Sequence, residues 1–210
     1  MLRTRTLLTI AVAALALAAC TSPSPDPSAS ATPSSTATSA TQSAPTAPAS
    51  TPTPTPATDA QRVSTPPARP EALDGPASEE NAKAVGRYFL SLFPYAVATG
   101  DLAAIDALSG QGCKYCKHLR GIVTEIHDAG NHGTGGAYEL GFTSGIRKDD
   151  GDFTVGIEYV ETPSRTVAPD GSLVEDFPDT YSMKAVLRLH WSGSAWTVEA
   201  GKATEFGGKK

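Results

Sequence analysis

The chain has 210 residues and a formal net charge of −5 at pH 7. Its first residues carry +2 and residues 21–70 are neutral, so −7 falls on residues 71–210, which offers no positive footprint for a phosphate backbone and excludes nucleic acid as a partner. The same acidity gives no basic patch for anionic headgroups, so any hold on a membrane has to come from elsewhere.

The chain opens "MLRTR", with Arg3 and Arg5 and no acid, and continues "LLTIAVAALALAA" from Leu7 to Ala19, where Thr9 is the one polar residue. A charged start, a short apolar run and a small-residue end form an export signal. Thirteen residues rise roughly 20 Å as a helix, short of the ~30 Å hydrocarbon core, which disfavours a permanent span. The run ends in "LAAC" (Leu17, Ala18, Ala19, Cys20). This resembles the lipobox of bacterial lipoproteins, and the resemblance implies cleavage before Cys20 and lipidation of its thiol. Two or three acyl chains, at ~0.8 kcal/mol per buried CH₂, make a durable anchor. The alternative is plain cleavage near Ala19, leaving Cys20 a bare thiol. Residues 1–19 are therefore expected to be a signal peptide, and the protein to sit on the outer face of the cell membrane.

Residues 21–60 hold only Asp26, Gln42 and Asp59 besides Ser, Thr, Pro and Ala. With no apolar surface to offset ordering entropy, residues 20–70 are expected to form a disordered tether. "TPTPTP" at Thr51–Pro56 stiffens part of it toward polyproline II. Such a tether spans about 40 Å as a coil and about 150 Å when extended. Its Ser/Thr/Pro content suits O-glycosylation as well as an inert spacer.

Residues 71–207 read as a single α+β domain, with 208–210 a tail. Ser78 followed by Glu79 and Glu80 is a helix start, and Ala82, Val85, Phe89, Leu92, Phe93 and Ala96 recur at helical spacing. Pro94 is expected to kink or end this helix. Gly100 stops the segment, and Asp101 caps a second helix with Leu102, Ile105 and Leu108 inward. A third helix carries Leu119, Ile122, Val123 and Ile126 and ends at Gly130. After the loop "GNHGTGG" the period becomes two. Tyr138, Leu140 and Phe142 alternate, then Phe153, Val155, Ile157 and Tyr159, then Tyr181 through Trp191, then Trp196, Val198 and Ala200. Residues Thr162 to Pro178 are expected to form a bent hairpin extending the neighbouring strands. The fold class is thus α+β, with three N-terminal helices packed on the apolar face of a curved antiparallel sheet of about four strands.

This order, with "YAVATGDLAAIDAL" at Tyr95–Leu108, resembles the nuclear-transport-factor-2-like fold, the cone of SnoaL-like proteins. With "RPEALDGP" before it and "CKYC" after it, the chain is similar to actinobacterial lipoproteins whose domain has no assigned function. That likeness implies no catalytic residues. Open sheet faces in the cone class imply a possible homodimer.

Cys113 and Cys116 make "CKYC" at the start of the third helix, beside Lys114 and Lys117. A helix N-terminus and two cations lower a thiolate's pKa, which is the redox reading. The motif follows a helix rather than a strand, however, and exported thiols meet oxidising conditions, so a structural disulfide is expected. Cys113, Cys116, His127 and His132 come near zinc-finger spacing, but the finger needs a longer interval and two strands before its helix; no metal or other cofactor is expected. His127 suits a helix C-terminus. Lys114, Lys117, His118 and Arg120 read as a solvated face, with a partner contact as the alternative. Asp149, Asp150 and Asp152 read as an acidic hairpin tip, and His190 as an exposed strand residue. Tyr138, Tyr159 and Tyr181 fall on the apolar faces and line any cone pocket, whereas Glu139, Glu158 and Lys184 face away. No inward acid or histidine is evident, which weighs against an enzyme.

The expected function is accordingly a lipid-anchored extracytoplasmic module that binds without catalysis, its partner a cell-envelope protein, peptidoglycan or a small molecule. The alternatives are a small isomerase- or hydrolase-like enzyme of the cone class and a CxxC thiol redox protein.

Overall fold

The computed structural model describes residues 58–148 and 151–206, all within the unit Pro52–Lys210. Cys20, the expected signal peptide and most of the expected tether lie outside the described residues, as do Asp149 and Asp150. Among the described residues no helix is long and apolar enough to cross a membrane.

Among the described residues all helices precede all strands. The first, α1 (Asp59–Ser64), lies inside the segment expected to be tether, so the folded part begins before residue 71. Thr58 and Gln61 close a capping box there: Gln61 N donates to Thr58 Oγ1 at 3.3 Å and Thr58 N donates to Gln61 Oε1 at 2.8 Å. Val63, the first branched aliphatic residue after Leu17, is buried and gives this helix something to pack.

Helix α2 (Glu79–Thr99) starts at Ser78, whose Oγ accepts from Asn81 N at 3.1 Å, and ends at Gly100 with φ of 79°. Its buried stripe holds Ala82, Val85, Phe89, Leu92 and Ala96. The helix neither ends nor breaks at Pro94. An interior proline costs about 3 kcal/mol, but the flanking turns bury Phe89, Leu90 and Ala96 completely, and that packing outweighs the lost hydrogen bond. Helix α3 (Ala103–Leu108) follows Asp101, whose Oδ1 accepts from Ala103 N at 3.0 Å. Helix α4 (Lys114–Asp128) buries Cys116, Leu119 and Val123.

Strands β2 (Tyr138–Arg147), β3 (Asp152–Glu161), β6 (Tyr181–Trp191) and β7 (Trp196–Glu205) form one antiparallel sheet in the order β2-β3-β6-β7. Its inner face, with Phe153, Val155, Ile157, Ala185, Leu187, Leu189 and Val198 fully buried, receives α2 and α4. A bulge between Leu140 and Thr143 shifts the β2 register against β3. Phe142 therefore turns outward and is 70% exposed, rather than following Tyr138 and Leu140 inward. A second shift, between Arg188 and Leu189, places Ala200 opposite the exposed Arg188 and brings Gly201 opposite Leu187 instead.

The fold holds more than three helices on one sheet. Strands β1 (His132–Gly135), β4 (Ser164–Val167) and β5 (Leu173–Phe177) make a second antiparallel sheet in the order β1-β4-β5. The Thr162–Pro178 hairpin thus joins a sheet of its own, and the "HGTG" stretch that reads as loop is its edge. Gly133 makes this possible, because a Cβ there would collide with Val97 Cγ1 on α2. Only a residue without a side chain lets β1 lie so close.

Candidate functional site

A cavity of about 750 Å³ opens where α2, α4 and the two sheets converge. Its apolar wall is built from Phe93, Pro94 and Val97 of α2 and from Ile122 and Ile126 of α4, which are one helical turn apart. Across from them stand Tyr138, Tyr181 and Met183, with Phe177 on β5. The volume falls within the roughly 300–1,000 Å³ typical of small-molecule sites.

Of the three tyrosines the sequence singles out, Tyr138 and Tyr181 line the cavity, and Tyr159 does not. Tyr159 is buried one layer behind, its ring 4.6 Å from that of Tyr138. Tyr181 Oη donates to Asp179 Oδ2 at 3.2 Å. Burial, first of all, drives the Tyr138 and Tyr159 hydroxyls well above the usual tyrosine pKa, and a nearby carboxylate adds to it.

That carboxylate is Glu161, the residue missed by the sequence reading. Strand β3 alternates Phe153, Val155, Ile157 and Tyr159 inward, and Glu161 is the next position of the same series. It pairs with Tyr138 on one neighbouring strand and with Tyr181 on the other, so the three form one row across the sheet. Glu161 is half-buried, and desolvation raises its carboxyl pKa above the ordinary glutamate value. Its charge also acts on Tyr115 at the start of α4, whose hydroxyl is pushed up to about 12, chiefly by burial. Among the described residues no ion pair involves Glu161. The cavity also takes in Glu125, Glu175, Asp179 and Glu205, against one cation, Arg165, whose Nε lies 3.0 Å from Asp176 Oδ1.

The other singled-out groups are not at the cavity. Cys113 and Cys116 are joined in a disulfide, Cα–Cα 5.3 Å, and both are buried. Cys113 caps α4, its Sγ accepting from Cys116 N at 3.1 Å. Bonded to each other, the sulfurs are not zinc-binding thiolates, and exchange partners have no access to them. His127 Nε2 donates to the Val97 carbonyl at 3.0 Å, which ties α4 to α2. His132 is exposed on β1. His190 is half-buried rather than exposed, its Nδ1 2.7 Å from Asp152 Oδ1. Arg120 pairs with Asp106, while Lys114, Lys117 and His118 are solvated.

Several solved structures are similar to the chain. Three of them are the intermembrane space region of the chloroplast protein ARC6 (12% identity, TM-score 0.48, covering 63% of this chain and 100% of that one); an uncharacterised protein with a cystatin-like fold from Caulobacter vibrioides (12%, 0.40, 61% and 91%); and Aln2 from a Streptomyces species (11%, 0.38, 62% and 93%). No curated protein matches the sequence. A family model matches residues 52–202, a stretch that includes α1 and every cavity-lining residue except Glu205, and the chain belongs to that family, DUF6318, a family of unknown function.

Proposed function

We propose that the protein is a lipid-anchored, extracytoplasmic binding protein. Acyl chains on Cys20 hold it to the membrane, a Ser/Thr/Pro/Ala-rich tether carries the domain outward, and the domain is a nuclear-transport-factor-2-like cone that takes a small molecule in its open end. The observation that carries this reading is the cavity: one side aliphatic and aromatic, the other with a row of Tyr138, Glu161 and Tyr181. Pockets that combine apolar walls with a few placed polar groups are the usual form of a ligand site.

Two measurements test it. Cells fed an alkynyl fatty acid should label the wild-type chain and not Cys20→Ser, and the variant should move to the aqueous phase on detergent partitioning. A neutral solvatochromic dye should bind the domain with blue-shifted emission, and Phe93→Ala with Val97→Ala should weaken that binding. Equal labelling of both chains removes the anchor; no dye binding removes the ligand site.

A second reading, a cone-class enzyme, is favoured by Glu161. A desolvated carboxyl in a cavity suits a general base that takes a proton from carbon beside a carbonyl, with the high-pKa Tyr138 hydroxyl as donor to the developing enolate. Turnover of a ketone isomerisation substrate that is lost in Glu161→Gln would favour this reading over binding alone.

A further inference from the structure

Resting on the cavity as a ligand site, we infer that its ligand is an amphipathic cation: an ammonium group that meets Glu161 between the two tyrosines, on an apolar body that lies along Phe93, Val97, Ile122 and Ile126.

Among the described residues Glu161 lacks a counter-charge of its own. Half-burial has stripped water from its carboxyl, and among the described residues no ion pair returns an opposite charge. Such a group gains most from a cation supplied by the ligand. Tyr138 and Tyr181 stand on either side of it in the same row, and the negative faces of aromatic rings attract cations. The aliphatic side is suited to a hydrocarbon body.

Charge around the opening favours the same sign of ligand. Facing the cavity are Glu125 from α4, Glu175 from β5, Asp179 from the link to β6 and Glu205 from β7. Arg165 on β4 is the opposing cation, and Asp176 already balances it. With their pKa values raised, Tyr115, Tyr138 and Tyr159 add no charge at pH 7, so the charges facing the cavity are these carboxylates and Arg165. An anionic amphipath would enter against their net negative charge, and a neutral one would leave the Glu161 carboxyl uncompensated.

The test uses the complete chain carrying Cys20→Ser, so that no acyl chain competes, and three probes with one body: 4-phenylbutylamine, 4-phenylbutanol and 4-phenylbutyrate. Isothermal titration calorimetry at pH 7 should find the amine bound at least tenfold more tightly than the alcohol, and the carboxylate weakest. Glu161→Gln should lower amine affinity about tenfold and leave the alcohol unchanged, which also reports that the variant is folded. Glu161→Asp should keep the preference for the amine. Acidification should weaken the amine alone as Glu161 takes up its proton, beginning above the ordinary glutamate range. Alcohol or carboxylate binding as tightly as the amine, or an amine affinity indifferent to Glu161→Gln, overturns the inference while leaving the cavity a ligand site. Binding of none of the three overturns both.

Discussion

Glu161 lies directly opposite Tyr138 on the adjacent antiparallel strand, so a half-buried carboxyl and a tyrosine ring share one side of the sheet at the mouth of the cavity. Residues paired in this way are separated by about 5 Å between Cβ atoms, close enough for the carboxylate charge to act on the hydroxyl. Burial first, and then the carboxylate, raises the Tyr138 hydroxyl pKa, and desolvation raises that of the Glu161 carboxyl.

Stability should fall as pH rises through the range where Glu161 ionises. Its carboxyl pKa is higher folded than unfolded, so between the two values the native state binds more protons and ΔG of unfolding decreases with pH; above the folded value the loss is complete. Glu161→Gln should remove this slope and melt higher than the wild type at pH 7. Thermal denaturation of both chains between pH 4 and pH 8 checks it; a variant that melts lower at pH 7 contradicts it.

The disulfide should be structural and inert. Cys113 and Cys116 close a loop of only four residues, worth about 2 kcal/mol by chain entropy, and both are buried. Cys113→Ala with Cys116→Ala should lower stability by about 2 kcal/mol in chemical denaturation. Native protein in glutathione should be reduced only as fast as it unfolds. Rapid reduction under native conditions would revive the redox reading.

Arg87 should be the residue that secures the bulge in β2. Its Nη1 donates to Gly141 O and Thr143 Oγ1, each at 2.8 Å, and its Nη2 donates to Leu140 O at 3.3 Å. Arg87→Ala removes all three and should cost ~1–3 kcal/mol. Hydrogen exchange should report the loss as faster exchange across Leu140–Thr143, ahead of the rest of the sheet.

Gly201→Ala should be among the most damaging small substitutions. A Cβ there would overlap Tyr115 Cδ1 and come 2.9 Å from Leu187 Cδ2, so the buried side of Tyr115 on α4 would have to give way. The expected cost is ~1–3 kcal/mol, read as a lower midpoint in denaturant. Gly112→Ala, with nothing within 4 Å of the added carbon, should be nearly neutral and serves as the control.

Local patterning was a good guide wherever one chemical signal had one structural solution. Ser78 with two acids, Gly100 and Asp101 mark helix ends because an orphan amide or a left-handed turn admits few residue types. The capping pair Thr58 and Gln61 was equally legible, and so was Glu161, two residues beyond Tyr159 in an alternation already evident. Both lay where a reading by composition stopped: α1 inside a Ser/Thr/Pro-rich stretch, Glu161 just past the apolar run. Phe142 and Ala200 were not legible, because a bulge inverts which face a residue takes, and that depends on pairing with a strand distant in the chain.

What the sequence by itself determined is the order of parts: an apolar start closed by Cys20, a stretch of almost nothing but Ser, Thr, Pro and Ala, then helices followed by strands of period two. Those follow from hydrophobic spacing and from the few residues that can begin or end an element. Only the tertiary structure decided that β1, β4 and β5 separate into a sheet of their own and thereby leave a cavity beside the core. Only there does Glu161 acquire its surroundings, since a carboxyl is desolvated by what packs around it from distant parts of the chain, and spacing along one strand carries no record of that.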